Sequence, residues 1–294
     1  MAGDDFMNSD NKIYQHKFKD VVDIISDWYE PYGGVFGKDM LEFGCGEGTV
    51  ALGMALRKAP RRVVGVEILD VVNNCEDIAR DHFGLQGLPA NLQLHQISPG
   101  QDLRDLGMFD FIYCWSVFEH VKRDLLEAAF RTIAEALKPE GVLFLQISPL
   151  YYSRDGSHLA PWVGQPWAHL AMEHDEYRQA LYNAPPTPQN LREAWSVYIP
   201  LDAPQSVERD ALWETYTTLN KVTAPQLKRA AASAGLEVVR DYRTKFDDPI
   251  PLDLAEIYDE DVLRTEQVVW LLRHETLQNG EVEASRASLE DQAY

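Results

Sequence analysis

Short apolar runs alternate with amphipathic stretches through the first half of the chain. The runs fall at 39–43, 62–68, 92–97, 109–115 and 141–147. Runs of this length, bounded by turn residues, read as buried strands. The stretches between them carry helical spacing, clearest in Leu125, Leu126, Ala129, Phe130, Ile133, Ala134 and Leu137. An earlier helix is expected over about 16–29, where Phe18, Val21, Val22, Ile25 and Trp28 share a face. Pro31 and the pair Gly33 and Gly34 stop it. Strands that alternate with helices predict a doubly wound α/β architecture, with a parallel sheet covered on both faces.

The alternation breaks after Ile147. Residues 151–222 hold ten aromatics, Trp162, Trp167 and Trp213 among them, and the cluster Pro185, Pro186 and Pro188. This stretch, about 150–222, reads as an insertion of short helices and loops after the fifth strand. The pattern then resumes. Thr223 has the character of an N-cap, a helix is expected over 226–234, and Gly235 closes it. Two more strands are expected near 236–245 and 267–273. The boundaries that follow are a disordered start at 1–12, one domain over 13–274 and a polar, mobile tail at 275–294.

Charge narrows the function. The formal net charge is −20, whereas a nucleic-acid binder normally presents a basic face. The one basic cluster, Arg57, Lys58, Arg61 and Arg62, sits at a helix end, where cations complement the helix dipole. No nucleic-acid partner is expected. No apolar run approaches the roughly 18 residues of a membrane span, so no membrane partner is expected either. The acidic N-terminus lacks the pattern of a secretory signal, and a cytoplasmic location is the expectation. Cys45, Cys75 and Cys114 form an odd set in apolar contexts and read as reduced, partly buried thiols.

Candidate chemistry begins at Glu42-Phe43-Gly44-Cys45-Gly46-Glu47-Gly48, which follows the first strand and opens a helix. Glycines there let the backbone turn tightly and approach a ligand. Exposed N–H groups at the helix start suit an anionic group. Glu67 ends the second strand, 23 residues after Gly44. A carboxylate so placed can accept hydrogen bonds from both hydroxyls of a ribose. Two cofactor classes share this geometry. A dinucleotide fingerprint requires a third glycine at position 49, which is Thr49. The spacing found is G-x-G-x-G, preceded by an acid.

That loop resembles the first motif of the class I S-adenosylmethionine-dependent methyltransferase family. The resemblance covers about 35–148 and resumes over 223–274. It implies a Rossmann-like sheet of seven strands, the last antiparallel. It also implies S-adenosyl-L-methionine as cofactor and S-adenosyl-L-homocysteine as product. Residues Glu42, Gly44, Cys45 and Gly46 match the loop beside the cofactor's amino-acid end. Glu67 matches the ribose-binding acid and Ile68 its apolar neighbour against adenine. Phe109-Asp110-Phe111-Ile112 resembles the fourth-strand motif, Glu119-His120-Val121 the motif after it, and Lys138-Pro139-Glu140-Gly141 the turn before the fifth strand. Two departures stand out. Glu140 occupies a glycine position, and Ser98, beside Ile97, stands where many members carry an aspartate for the adenine amine. Trp115 ends the fourth strand at the carboxyl edge and is expected to wall the site.

The expected reaction is methyl transfer to a small-molecule acceptor, with oxygen favoured over nitrogen or carbon. His120, His158 and His169 are the candidate bases, because histidine titrates near neutrality. The competing readings of these histidines are structural packing and metal binding. Their spacing does not match zinc ligation, and no metal is expected. Trp162 and Trp167 are either core or walls of an acceptor site. A non-catalytic cofactor-binding protein and an NAD-dependent oxidoreductase remain the alternative functions. The oligomeric state is open.

Overall fold

Seven strands hydrogen-bond into one sheet in the computed structural model, which describes residues 11–195 and 199–275. They are β1 (Asp39–Phe43), β2 (Arg62–Glu67), β3 (Leu92–Gln96), β4 (Phe109–Trp115), β5 (Leu137–Ile147), β6 (Leu236–Lys245) and β7 (Thr265–His274). Their order across the sheet is β3-β2-β1-β4-β5-β7-β6. Strands β1 to β5 run parallel, and β7 lies antiparallel between β5 and β6. The order reverses beside β1, which opens a crevice at the carboxyl ends of β1 and β4.

The central strands are apolar on both sides because both faces are covered. Leu41, Val64, Ile112 and Cys114 face one layer, built from α5 (Leu126–Ala136) and α10 (Ala224–Ser233). Their neighbours Met40, Val63, Phe111 and Tyr113 face the other layer. There α1 (Lys12–Gln15), α2 (Val22–Tyr29), α3 (Thr49–Arg57) and α4 (Cys75–Phe83) pack. Tyr29 ties its helix to the sheet edge-on, donating to the Ile112 carbonyl at 2.5 Å and accepting from the Phe144 N–H at 3.2 Å.

Several boundaries shift from expectation. The first helix begins at Lys12 because Asn11 caps it, its Oδ1 accepting from the N–H groups of Ile13 and Tyr14. Residues 11 and 12 therefore belong to the folded domain, and the rest of the expected disordered start lies outside the described residues. Between α1 and α2 the helix loosens into a π-helical stretch, His16–Val21. Here α3 approaches so closely that a Cβ on Gly53 would stand 2.4 Å from the Phe18 carbonyl oxygen. Strand β5 starts at Leu137, earlier than expected, and the Lys138-to-Gly141 turn bulges within it: Phe109 pairs with Leu137, and Phe111 already pairs with Val142. The tail expectation falls beyond residue 275, outside the described residues. Thr223 caps α10 with a capping box to Gln226, and Gly235 follows with φ 74°, as the sequence predicts. All three cysteines are free and buried.

The basic cluster is held by acids. Arg57 and Lys58 pair with Asp23, and Arg61 pairs with Asp39. The stretch after β5 forms α6 (Ala168–Ala171), α7 (His174–Asn183), α8 (Gln189–Trp195) and α9 (Gln205–Thr218). It has a core of its own, in which Leu159, Trp162, Tyr177, Leu181, Leu212 and Trp213 pack together.

Candidate active site

The loop after β1 turns because its glycines adopt conformations that side chains disfavour. Gly44, Gly46 and Gly48 have φ of 74°, 52° and 82°. A Cβ on Gly44 would also stand 2.6 Å from the Val117 methyls. The loop's own N–H groups are largely spent inside the protein. Those of Gly44 and Cys45 donate to the Val66 carbonyl, that of Gly46 to Glu67 Oε2 at 2.9 Å, and that of Gly48 to the Cys45 carbonyl. The loop thus uses these four N–H groups to fix its own shape.

Two acids are buried at the start of α3. Glu42 is 3 % exposed. Its carboxyl takes a hydrogen bond from the Ala51 N–H in the first turn of α3 and lies 3.4 Å from the Tyr113 hydroxyl. Burial, reinforced by the charge of Glu47, pushes its pKa well above the carboxylate range. Glu47 is also buried and accepts from Thr49 Oγ1 at 3.0 Å and from Lys17 Nζ at 2.7 Å. Glu42 thus braces the loop from beneath. Cys45 is buried beside Gly65, where a Cβ would meet its sulfur at 2.9 Å.

Glu67 stands at the end of β2. Its Oε1 accepts from the N–H groups of Ile68 and Leu69 at 2.7 and 3.1 Å, and Oε2 accepts from Gly46. These bonds fix the carboxylate and leave lone pairs for further donors. Ile68 and Leu69 are each 50 % exposed, which leaves an apolar surface open beside the carboxylate. Across from it, Ile97 is half-buried, its N–H bonded to the Glu67 carbonyl, and Ser98 is exposed. Trp115 ends β4 half-buried and stacks on Phe144 at 6.2 Å. The chain then turns sharply at Ser116, φ 53°, held by Gln146.

The insertion is fastened to the segment that leaves β4. Asn220 makes the clasp: its N–H donates to the Glu119 carbonyl, and its Nδ2 to the carbonyls of Phe118 and Val121. This clasp brings two of the three candidate histidines together. The rings of His120 and His158 meet edge to face at 5.6 Å. His158 makes a hydrogen bond to the Pro149 carbonyl, while its buried Nε2 has no partner. Nδ1 therefore carries the proton, and Nε2 presents a lone pair. Burial holds the His158 pKa down at about 4 and lowers that of His120 as well. His169 is not brought to them. Its Nε2 lies 2.6 Å from the Tyr151 carbonyl, and its ring packs on Tyr151 within the insertion.

The tryptophans also separate. Trp162 belongs to the insertion's core and donates to Thr187 Oγ1. Trp167 is wholly buried against Leu254 and Leu263, on the connection between β6 and β7. Trp162 lines a small cavity inside the insertion with Thr187, Leu191 and Leu212, away from the loop after β1. Trp195 and Tyr198, part of the same aromatic set, have side chains outside the described residues. Sequence reasoning treated Glu119 only as part of a motif. It is 4 % exposed, both carboxyl oxygens lack a hydrogen-bond partner, and burial pushes its pKa up to about 8. Its acidic identity gave no sign that it would be enclosed. Asn220 lies in a stretch whose pattern carried no signal at all.

A family model described as a methyltransferase domain matches residues 14–241. Over 118 residues the chain is 30 % identical to the ubiquinone biosynthesis O-methyltransferase of Azoarcus sp. (strain BH72), covering 40 % of this chain and 47 % of that protein. Over 111 residues it is 34 % identical to the protein of that name from Idiomarina loihiensis, covering 38 % and 42 %. The chain thus spans less than half the length of these relatives. Among solved structures, an S-adenosylmethionine-dependent methyltransferase from Clostridium acetobutylicum shares the fold, with a TM-score of 0.51, 13 % identity and 92 % and 94 % of the two chains covered.

Proposed function

The chain belongs to the methyltransferase-domain family, and from that premise we propose that it transfers a methyl group from S-adenosyl-L-methionine to an oxygen of a small-molecule acceptor. The acid-lined start of α3 supports this cofactor over a dinucleotide. A pyrophosphate needs free N–H groups at that helix start. Here the buried carboxyls of Glu42 and Glu47 lie at that start, acceptors where a phosphate would require donors. A ligand without phosphate avoids the conflict. Glu67 is fixed to receive ribose hydroxyls, the open Ile68 surface suits a base, and Gly44 leaves room that a Cβ would fill.

S-adenosyl-L-methionine, when bound, supplies an already activated methyl group. The protein's work is then alignment, exclusion of water and removal of the acceptor's proton. The His158 Nε2 lone pair is suited to the last of these, because a ring with its pKa near 4 is neutral at pH 7. The relatives' names support oxygen as the acceptor atom. Calorimetry should show binding of S-adenosyl-L-homocysteine and none of NAD at matched concentrations. Incubation with methyl-labelled cofactor and phenolic acceptors should then give labelled methyl ether. NAD binding without S-adenosyl-L-homocysteine binding would refute the assignment.

A further inference from the structure

The carboxyl ends of β1, β2 and β3 lie side by side in the sheet order. A ligand held at its ribose by Glu67, after β2, has its amino-acid end over the loop after β1. Its base therefore extends toward the exit of β3. That exit, residues 96–101, reads Gln-Ile-Ser-Pro-Gly-Gln and contains no acid. The first acid beyond it, Asp102, is committed to Arg104, accepting from its Nε at 3.0 Å and its backbone N–H at 2.9 Å.

The exit is a closed turn of neutral groups. The Gln101 N–H donates to the Ser98 carbonyl at 3.1 Å, and Gly100 takes φ 77°. The Ser98 N–H donates in return to Gln101 Oε1 at 3.1 Å. A backbone N–H can only donate, so this bond assigns the amide: the oxygen faces Ser98, and the Nε2 donors point away from it. Nε2 has no partner among the described residues. Gln96 Nε2 donates to the Ile68 carbonyl at 3.2 Å, leaving its own oxygen as a second neutral acceptor beside Ile68.

We infer that the neutral turn 98–101 reads the edge of the purine, through Ser98 Oγ and Gln101 Nε2, and that this chain consequently accepts a 6-oxopurine nucleoside almost as well as adenosine. The inference rests on the cofactor reading above. Adenine offers a donor at its 6-amino group and an acceptor at N1. Hypoxanthine reverses both. A carboxylate can only accept, so it would favour the amine and repel the 6-oxygen. A hydroxyl both donates and accepts, and rotates to suit. An amide N–H donates to adenine N1 or to the 6-oxygen alike. Strong discrimination requires a buried group that one ligand leaves unpaired, and Ser98 and Gln101 are exposed.

Calorimetry with S-adenosyl-L-homocysteine and S-inosyl-L-homocysteine tests this on the intact chain. The two dissociation constants should agree within about tenfold. Ser98→Asp should widen the preference for the adenosyl ligand by at least about tenfold, since it adds an acceptor-only group. Gln101→Ala should weaken both ligands by a similar factor. Both positions are exposed, and an unchanged melting temperature will show that the variants remain folded. A parent preference for the adenosyl ligand of about a hundredfold or more would overturn the inference while leaving the cofactor assignment intact, as would no effect of Ser98→Asp on the preference. Failure of both ligands to bind would overturn the cofactor assignment, and the inference with it.

Discussion

Replacing Glu119 by glutamine should stabilise the protein, and increasingly so as pH rises. The glutamate is enclosed with both oxygens unpartnered, and its pKa is pushed from the ordinary 4.5 up to about 8 by burial. An acid that holds its proton more tightly when folded favours the native state while it stays protonated. That advantage is whole below the unfolded pKa near 4.5 and is lost as pH climbs toward 8. Each pH unit in this window costs about 1.4 kcal/mol, and the full loss is about 5 kcal/mol. Glutamine has nearly the same shape and no proton to lose. Urea unfolding of parent and variant at several values between pH 5 and pH 9 measures the effect. Groups common to both proteins, such as His158 and Glu42, cancel in the difference. The two should lie close together at pH 5, with the variant gaining steadily to a plateau above pH 8. A difference that stays constant from pH 5 to pH 9 would show that Glu119 is hydrated or paired in solution, and the reasoning from its enclosure would fail.

Glu67→Ala removes charge-assisted hydrogen bonds worth about 1.5–3 kcal/mol each, so S-adenosyl-L-homocysteine affinity should fall by about tenfold or more; an unchanged dissociation constant would place the ribose elsewhere. Trp167→Ala and His158→Ala should behave oppositely. The tryptophan is wholly buried against Leu254 and Leu263, so its loss should cost about 3–5 kcal/mol in unfolding experiments without changing cofactor affinity. The histidine variant should keep cofactor affinity and lose methyl transfer; transfer at the parent rate would remove His158 from the role of base.

The central strands were legible because parallel strands covered on both faces are nearly continuous apolar runs; β6, antiparallel and largely exposed, was placed instead by the helix and Gly235 that precede it. Strands β1, β4 and β6 fall at the expected residues, and the others within a few. The glycine loop was legible because close backbone approach allows few residue types, and Glu67 ends β2 where the pattern put it. What the loop does with its N–H groups was not legible. Their partners, Val66 and Glu67, come from the neighbouring strand, and the pairing depends on register. Glu42 reads as the acid of the cofactor loop and Glu47 as an ordinary loop residue, and nothing in one dimension shows that both are buried at a helix start. The insertion was least legible. Its aromatics suit a core and a binding wall equally, and only the packing of Trp162 and Trp167 distinguishes the two. Likewise, nothing in the spacing of His120, His158 and His169 shows that the first two meet while the third is held by the Tyr151 carbonyl.

The insertion leaves the sheet after Ile147 and returns at Val222, yet its two ends are neighbours. Lys221 lies over the Tyr151 ring at 5.0 Å, and Asn220 is bonded to the β4 exit. A segment whose ends meet, and which carries a separate core, is one contiguous block, held to the framework by the Asn220 clasp and by the seat of Trp167 on Leu254 and Leu263. The sheet and its cofactor loop sit on the other side of that junction. On the function proposed above, exchanging that block would change which acceptor the protein meets, while the sheet and its glycine loop stay as they are.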